Sequence, residues 1–283
     1  MIKIRHVKGS DHKAVMELVK NIWGGDDYIP FIFFDWVKDG GFFLAELNGE
    51  IAGLAKVTKF DKGEWWLEGL RVGKKFRGKK IANYLTEYVL EKIKKEGFNT
   101  IRYSTGADNE GSLYIGRKHG FAQIANFTYY SYYPRPHAER SKIKLMKISN
   151  PKHVFEIINK SELLKKSAGS LCIGWTFRKP SKRFINTLSS SGLILTTGNF
   201  DKDGFVIYKV KDGWKSLEIL WLSGPISEQN KYINFINSEA LKKGNYSLTI
   251  TVPVYQRISH LFRNLGFKLD WKFGIRLLGY HEE

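Results

Sequence analysis

The stretch Trp66-Leu-Glu-Gly-Leu-Arg-Val-Gly-Lys-Lys-Phe-Arg-Gly-Lys-Lys-Ile-Ala82 decides how the first half of the chain is read. Residues 64–72 read as a long strand. Residues 73–80 are basic and carry glycine. Residues 81–96 have helical periodicity, with Ile81, Leu85, Tyr88, Val89 and Ile93 on one face. A turn that leaves a strand and opens a helix points successive backbone N–H groups outward with partial positive charge, so it binds phosphate. Arg77, Lys79 and Lys80 add full positive charges. Taken alone, Arg77-Gly78-Lys79-Lys80-Ile81-Ala82 reads equally well as a solvated basic turn.

Outward from that stretch the elements fall in order. Residues 2–7 read as a short strand, and Ser10-Asp11 caps a helix running to about Trp23. Residues 24–30 break it, and 31–38 form a second helical stretch. Residues 42–47 and 51–60 flank Asn48-Gly49, a tight-turn pair that predicts a hairpin. Gly97 closes the helix that follows the basic turn. Residues 99–105 read as a strand, 111–118 as a short helix and 121–133 as an aromatic strand.

Pro134-Arg135-Pro136-His137 is the linker candidate, since two prolines in three residues resist both helix and central strand. The element order then repeats. Helices are expected at 151–166 and 179–188, strands at 192–197, 204–209 and 216–222, a helix at 227–243, a strand at 246–252, a helix at 254–264 and a terminal strand. The expectation is two domains, 1–136 and 137–283, each an α/β (α+β) fold with a mixed, largely antiparallel central sheet flanked by helices.

Bulk composition narrows the function classes. The chain has 283 residues, 42% hydrophobic and 14% aromatic, enough apolar material for packed cores. No apolar run approaches a membrane span and the N-terminus has no signal-type core, which points to a cytoplasmic protein without a membrane partner. The single cysteine, Cys172, reads as a small buried apolar residue. The seven histidines form no ligand spacing, so no metal is assigned. A net charge of +18 favours anionic partners, but the lysines are spread among glutamates, as on solvated helix faces. A nucleic-acid partner is disfavoured without being excluded, and a monomer or homodimer is expected.

Downstream of the basic turn stand Asn109-Glu110-Gly111-Ser112, then Ile115, then Gly120-Phe121. With Leu70-Arg71-Val72 and Arg77 to Ala82 before them, residues 2–133 resemble the GCN5-related N-acetyltransferase (GNAT) family. Two signatures occur in family order. The first is a strand followed by Arg/Gln-x-x-Gly-x-Gly/Ala. The second is an Asn, a small residue three later and a Gly-Phe ending. The resemblance implies acetyl-CoA as cofactor. The strand backbone at Leu70, Arg71 and Val72 would pair with the pantetheine arm. The N–H groups of Arg77, Gly78, Lys79, Lys80, Ile81 and Ala82 would hold the pyrophosphate, and Asn109 and Ser112 would lie beside the pantetheine.

The implied activity is acetyl transfer to a primary amine, on a small molecule or amino acid, by direct attack. Glu68 is the candidate base, placed by strand alternation on the face of Leu70 and Val72, in apolar surroundings that raise a carboxylate's pKa. Two positions depart from the family. Lys80 stands where a glycine is usual, and Gly116 stands at the place of the family's proton-donating tyrosine, which leaves Tyr114, another tyrosine or solvent for that role. In such a fold residues 24–30 would overhang the acceptor site, where Asp26, Asp27 and Tyr28 are candidates to bind a cationic amine, and Trp66 and Tyr103 are candidate pocket residues. The run from Glu68 to Lys79 also looks like sequences of the animal histidine N-acetyltransferase type. In the second half, residues 261–267 resemble the second signature, but residues 223–227 carry no phosphate turn. This resembles a degenerate GNAT domain that has lost its cofactor. The rival readings are a catalytically inactive acetyl-CoA-binding regulator and a basic ribosome- or nucleic-acid-associated protein.

Overall fold

β1 (Ile2–His6) pairs antiparallel with β2 (Phe42–Leu47), and β2 with β3 (Glu50–Asp61) through the hairpin at Asn48-Gly49. The turn works because both residues adopt positive φ, 52° at Asn48 and 84° at Gly49. β3 pairs antiparallel with β4 (Glu64–Val72), and β4 runs parallel to β5 (Thr100–Gly106). The order β1-β2-β3-β4-β5 carries α1 (His12–Val19) and α2 (Ile29–Asp39), whose Val15, Val19, Ile29, Phe33 and Trp36 pack on Phe42, Leu44 and Leu54. A second core forms on α3 (Ile81–Glu96), whose Ile81, Leu85, Val89 and Ile93 meet Phe43, Ala55, Val57 and Trp65. α4 (Glu110–Lys118) closes the N-terminal run of elements.

This is a computed structural model describing residues 1–134, 143–148, 150–254, 256–270 and 272–282. Two compact units interleave along the chain. The first comprises Met1–Ser104, Asn109–Ala122 and Leu278–Glu283, and the second Thr105–Asp108 and Gln123–Leu277. The expected boundary at 136/137, like residues 135–137 of the linker candidate, lies outside the described residues. Compactness divides the chain elsewhere: most of β6 (Phe121–Tyr132) belongs to the second unit, and the last residues of the chain belong to the first. Leu278 is 2% exposed in the first unit's α3 core. The Tyr280 ring meets Phe98 and Phe121 at centroid distances of 5.7 and 5.4 Å, and the His281 N–H donates to the Gly120 carbonyl.

The second unit runs through β7 (Met146–Lys147), α5 (Pro151–Lys160), α6 (Glu162–Lys166), β8 (Leu171–Ile173), β9 (Thr176–Arg178), α7 (Lys182–Ser190), β10 (Ile194–Thr196) and α8 (Phe200–Asp203). It continues with β11 (Val206–Lys211), β12 (Ser216–Leu222), α9 (Ile226–Lys242), β13 (Ser247–Pro253), α10 (Gln256–Asn264), β14 (Lys268–Leu269) and β15 (Ile275–Tyr280), the last reaching into the first unit's residues. Its strands lie in the order β6-β13-β12-β11-β10-β7, antiparallel except for the parallel β12–β13 pair. Cys172 is buried, and its thiol donates to the Gly174 carbonyl. The series β10-β11-β12-α9-β13-α10 repeats the series β2-β3-β4-α3-β5-α4, as the element order in the sequence suggests.

Three expectations shift locally. The first helix stops at Val19, and Trp23 has a left-handed φ of 50°, which no helix interior accepts. The helix expected over 151–166 is two helices, because Ser161 turns extended and its side chain caps the Leu164 N–H. The short β8–β9 ribbon has too few residues to show an alternation and was not anticipated.

Candidate functional site: a forked sheet beside a basic turn

β4 and β5 pair at Glu64↔Thr100, Trp65↔Ile101 and Trp66↔Arg102, and there the ladder ends. Both strands continue, β4 to Val72 and β5 to Gly106, so the sheet forks. One arm of the fork carries a bulge. Leu54 faces Arg71 and Lys56 faces Glu68, so Gly69 and Leu70 together oppose one residue of β3, Ala55. Gly69 takes φ +65°, and a Cβ there would stand 2.6 Å from the Trp36 ring.

The bulge corrects the alternation argument. Leu67, Leu70 and Val72 pack against the α3 core, whereas Glu68 is in register with Lys56. Glu68 therefore shares a face with Arg71, toward α2, and not with Leu70 and Val72. Burial pushes its carboxyl up. The Thr58 hydroxyl, donating at 2.7 Å, and the Lys56 charge oppose that, and Asp39 adds to it. A carboxylate held partly out of water is a competent proton acceptor near neutral pH.

At the end of β4 the chain makes a short 3-10 turn at Lys74–Phe76, with Phe76 buried. Gly78 follows at φ +78° with open space where a side chain would be. Lys80 then takes φ 60° and ψ 13°, the left-handed conformation that a glycine adopts most easily. α3 starts at Ile81 with no side-chain cap and no acidic residue in its first turn. Its leading N–H groups are thus available, beside the exposed Arg77, Lys79 and Lys80. A pyrophosphate fits this turn by charge and by backbone room.

Asn109 caps α4, its side chain accepting from the Ser112 N–H at 3.2 Å, and the Tyr103 hydroxyl donates to the Ser112 carbonyl at 3.1 Å. Tyr103 is the first residue of β5 beyond the last β4–β5 pair, so it stands at the fork. Burial pushes its phenol up to about 12. Gly116 lies under it: a Cβ at 116 would be 1.9 Å from the Tyr103 oxygen. Tyr114 is 59% exposed.

The acceptor-side candidates separate. Asp26 is exposed, but Asp27 is 2% exposed and its carboxylate is engaged. Asp27 accepts from Arg71 Nε at 2.6 Å and Nη2 at 3.3 Å, and from the Ile29 N–H at 3.0 Å. The Arg71 guanidinium lies over the Trp23 ring at 4.1 Å and the Tyr28 ring at 5.2 Å. Asp27 therefore holds Arg71 and the 22–28 loop in place and offers no open carboxylate to an amine. The Arg71 guanidinium is thus engaged by Asp27, the Leu70 carbonyl and the two rings. Tyr28 sits between Arg71 and Trp36, its phenol pushed up to about 12 by burial. Trp66 is buried against Phe60. Thr58 bonds Glu68 directly and Lys56 bonds Thr58, a connection that no local sequence pattern displays.

The second unit has the same fork without the same turn. β12 carries an extra residue, Leu220, between Ile219↔Tyr208 and Trp221↔Ile207, and the β12–β13 ladder ends at Ile219↔Ile250. Leu220, Trp221 and Leu222 with Thr251, Val252 and Pro253 line a cavity of about 200 Å³. The lead-in to α9 is a Pro225 cap with Glu228 in the first turn, which repels an anion where the α3 turn attracts one.

This geometry agrees with what the chain is similar to. Residues 13–121 match the acetyltransferase (GNAT) family model. Histidine N-acetyltransferase of Oreochromis niloticus is 36% identical over 87 residues, 30% of this chain and 26% of that protein, so the chain spans about a quarter of that relative's length. The crystal structure of a GCN5-related N-acetyltransferase from Sphaerobacter thermophilus is 14% identical. It covers 99% of this chain and 95% of its own, with a TM-score of 0.68. A Pyrococcus horikoshii structure covers 100% and 90%, at 16% identity and a TM-score of 0.65. These likenesses show the fold over the whole length. Among the described residues no helix is long and apolar enough to cross a membrane, and no cluster of three His, Cys, Asp or Glu residues could hold a metal ion.

Proposed function

We propose that the chain is an acetyl-CoA-dependent N-acetyltransferase acting on a primary amine of a small molecule, with an amino acid as the favoured class. The observation that carries this reading is a half-buried carboxylate, Glu68, on one arm of a forked sheet whose next turn is basic and uncapped. The matched family and the histidine N-acetyltransferase similarity support it. When bound, acetyl-CoA supplies the activated acetyl thioester. The α3 turn from Arg77 to Ala82 holds its pyrophosphate through N–H groups and lysine charge. The β4 backbone at Leu70 and Val72 orients the pantetheine, with Asn109 and Ser112 across the fork. Glu68 takes a proton from the acceptor amine, directly or through a water, so that the nitrogen lone pair is free to attack. Tyr103 is the phenol seated at the fork, and the exposed Tyr114 is the second candidate for protonating the departing thiolate. The second unit, lacking the turn, is a degenerate domain that binds no cofactor of this kind.

A second reading, an acetyl-CoA-binding regulator without turnover, rests on Gly116. One experiment separates them. Acetyl-CoA should raise the melting temperature, and Arg77→Glu with Lys80→Glu should abolish that rise. Thiol release is then followed over amino acids, polyamines and peptide N-termini. Glu68→Gln should lower kcat about 10²-fold with acetyl-CoA affinity nearly intact. Stabilisation without thiol release from any amine favours the regulator, and no stabilisation at all removes both.

A further inference from the structure

Lys56 sits on β3 directly opposite Glu68 and is 2% exposed. A buried ammonium is costly unless its donors are used. Its Nζ donates to the Val57 carbonyl at 3.1 Å and to Thr58 Oγ1 at 2.9 Å. Thr58 Oγ1 in turn donates to Glu68 Oε1 at 2.7 Å. Valence fixes the direction of this chain. An ammonium only donates, so the Thr58 oxygen must accept, and its single proton is left to point at the carboxylate. Glu68 Oε1 is thereby occupied, while Oε2 has no hydrogen-bond partner among the described residues.

We propose that Lys56 and Thr58 form a buried relay that fixes the rotamer of Glu68, keeps it ionised, and presents Oε2 to the acceptor amine. The proposal rests on the reading of Glu68 as the base. Lys56 and Thr58 are positioning residues, since both act through Glu68. The other charged or titratable groups toward this face are Asp39 at the end of α2, Tyr28 just before it, and the Arg71–Asp27 pair beside Tyr28. Asp39 makes a negative Glu68 less favourable and Lys56 makes it more favourable, while the Tyr28 phenol stays neutral and the Arg71 guanidinium is paired with Asp27. Burial lowers the Lys56 ammonium, and Glu68 with Asp39 holds it up. Each charge of the pair thus supports the other, and removing one changes its partner's titration. The sign follows directly. Without Lys56 the Glu68 carboxylate loses a stabilising charge, its pKa rises, and the base form is reached only at higher pH.

The test uses Lys56→Met, Thr58→Val and Thr58→Ser in the full chain. Lys56→Met removes one partner of a buried pair and leaves the Glu68 charge without its cation, so the melting temperature should fall near neutral pH and fall less at low pH, where Glu68 is protonated. The first readout is the ¹³C-carboxyl NMR titration of Glu68, which needs no turnover. The second is the pH profile of kcat/KM with whichever amine supports thiol release. Lys56→Met and Thr58→Val should both move the Glu68 titration and the acid limb to higher pH. Just below the wild-type limb, kcat/KM should fall about tenfold, with KM for acetyl-CoA unchanged. Thr58→Ser should return the limb to its wild-type position. A Glu68 titration unmoved by Lys56→Met overturns the relay, whatever the activity. A titration that moves while the acid limb stays put upholds the relay and removes Glu68 as the base. If Lys56→Met fails to fold, the contrast between Thr58→Val and Thr58→Ser decides by the same two readouts.

Discussion

Gly116 and Tyr103 occupy one space. The Tyr103 ring crosses α4 and its hydroxyl reaches the Ser112 carbonyl, so any side chain at 116 would start inside the phenol. This gives a physical reason for the glycine: a tyrosine at 116 and a tyrosine at 103 exclude each other. Gly116→Ala should therefore destabilise the protein by about 1–3 kcal/mol. Tyr103→Phe, which removes the nearest atom, should recover part of that loss. Urea unfolding of the two single variants and the double variant measures the coupling, and strict additivity would contradict the shared space. The sequence displays the glycine plainly, at a fixed spacing from Asn109 and Gly120-Phe121. It does not display Tyr103 as the cause, because 103 and 116 lie on different elements and no local pattern sets their distance. Lys56 was hidden for a related reason. A lysine on a strand reads as a solvent-facing residue, and only the cross-strand register against Glu68 buries it.

Among the elements, the hairpin, β4, α3, β5 and α4 were legible, because each carries its own punctuation: Asn48-Gly49, the basic turn, Gly97 and the Asn109 cap. The bulge in β4 was not. It needs one glycine at positive φ packed on Trp36, and that contact joins a strand to a helix thirty residues earlier in the chain. Missing it reversed the face on which Glu68 was placed. The turn into α3 makes the opposite case, since its place between a strand and a helix was legible while the strain within it was not visible. Lys80 is held in the left-handed region, which costs an ordinary residue about 1–2 kcal/mol. Lys80→Gly should therefore leave stability within about 0.5 kcal/mol of the parent, relief of strain offsetting the added freedom of the unfolded chain. Lys80→Val should lose about 1–2 kcal/mol or more, because a branched Cβ fits that conformation worst. Thermal unfolding without ligand measures both, and a stable Lys80→Val would argue against the left-handed turn.

At the scale of the molecule, the recurring order of strands and helices in the two halves was legible, and the interleaving of the two units along the chain was not. Nothing in residues 275–282 announces where they pack, since a short apolar strand suits any sheet. Leu278 is the test. It is 2% exposed and belongs to the same core as Ile81, Leu85 and Val89, in the first unit. Leu278→Ala should cost about 2–5 kcal/mol and speed amide exchange in α3 well before α9. Exchange rising only in the second unit would place Leu278 elsewhere. The same arrangement has a bearing on biosynthesis. Translation delivers the basic turn and Glu68 early, but Leu278, which belongs to the first unit's core, arrives far later in the chain. A ribosome that stalls, or a protease that cuts, before Leu278 leaves the candidate site unsupported. Chains cut short of residue 278 lack a side chain of the first unit's core and should therefore unfold at a lower temperature than the full chain.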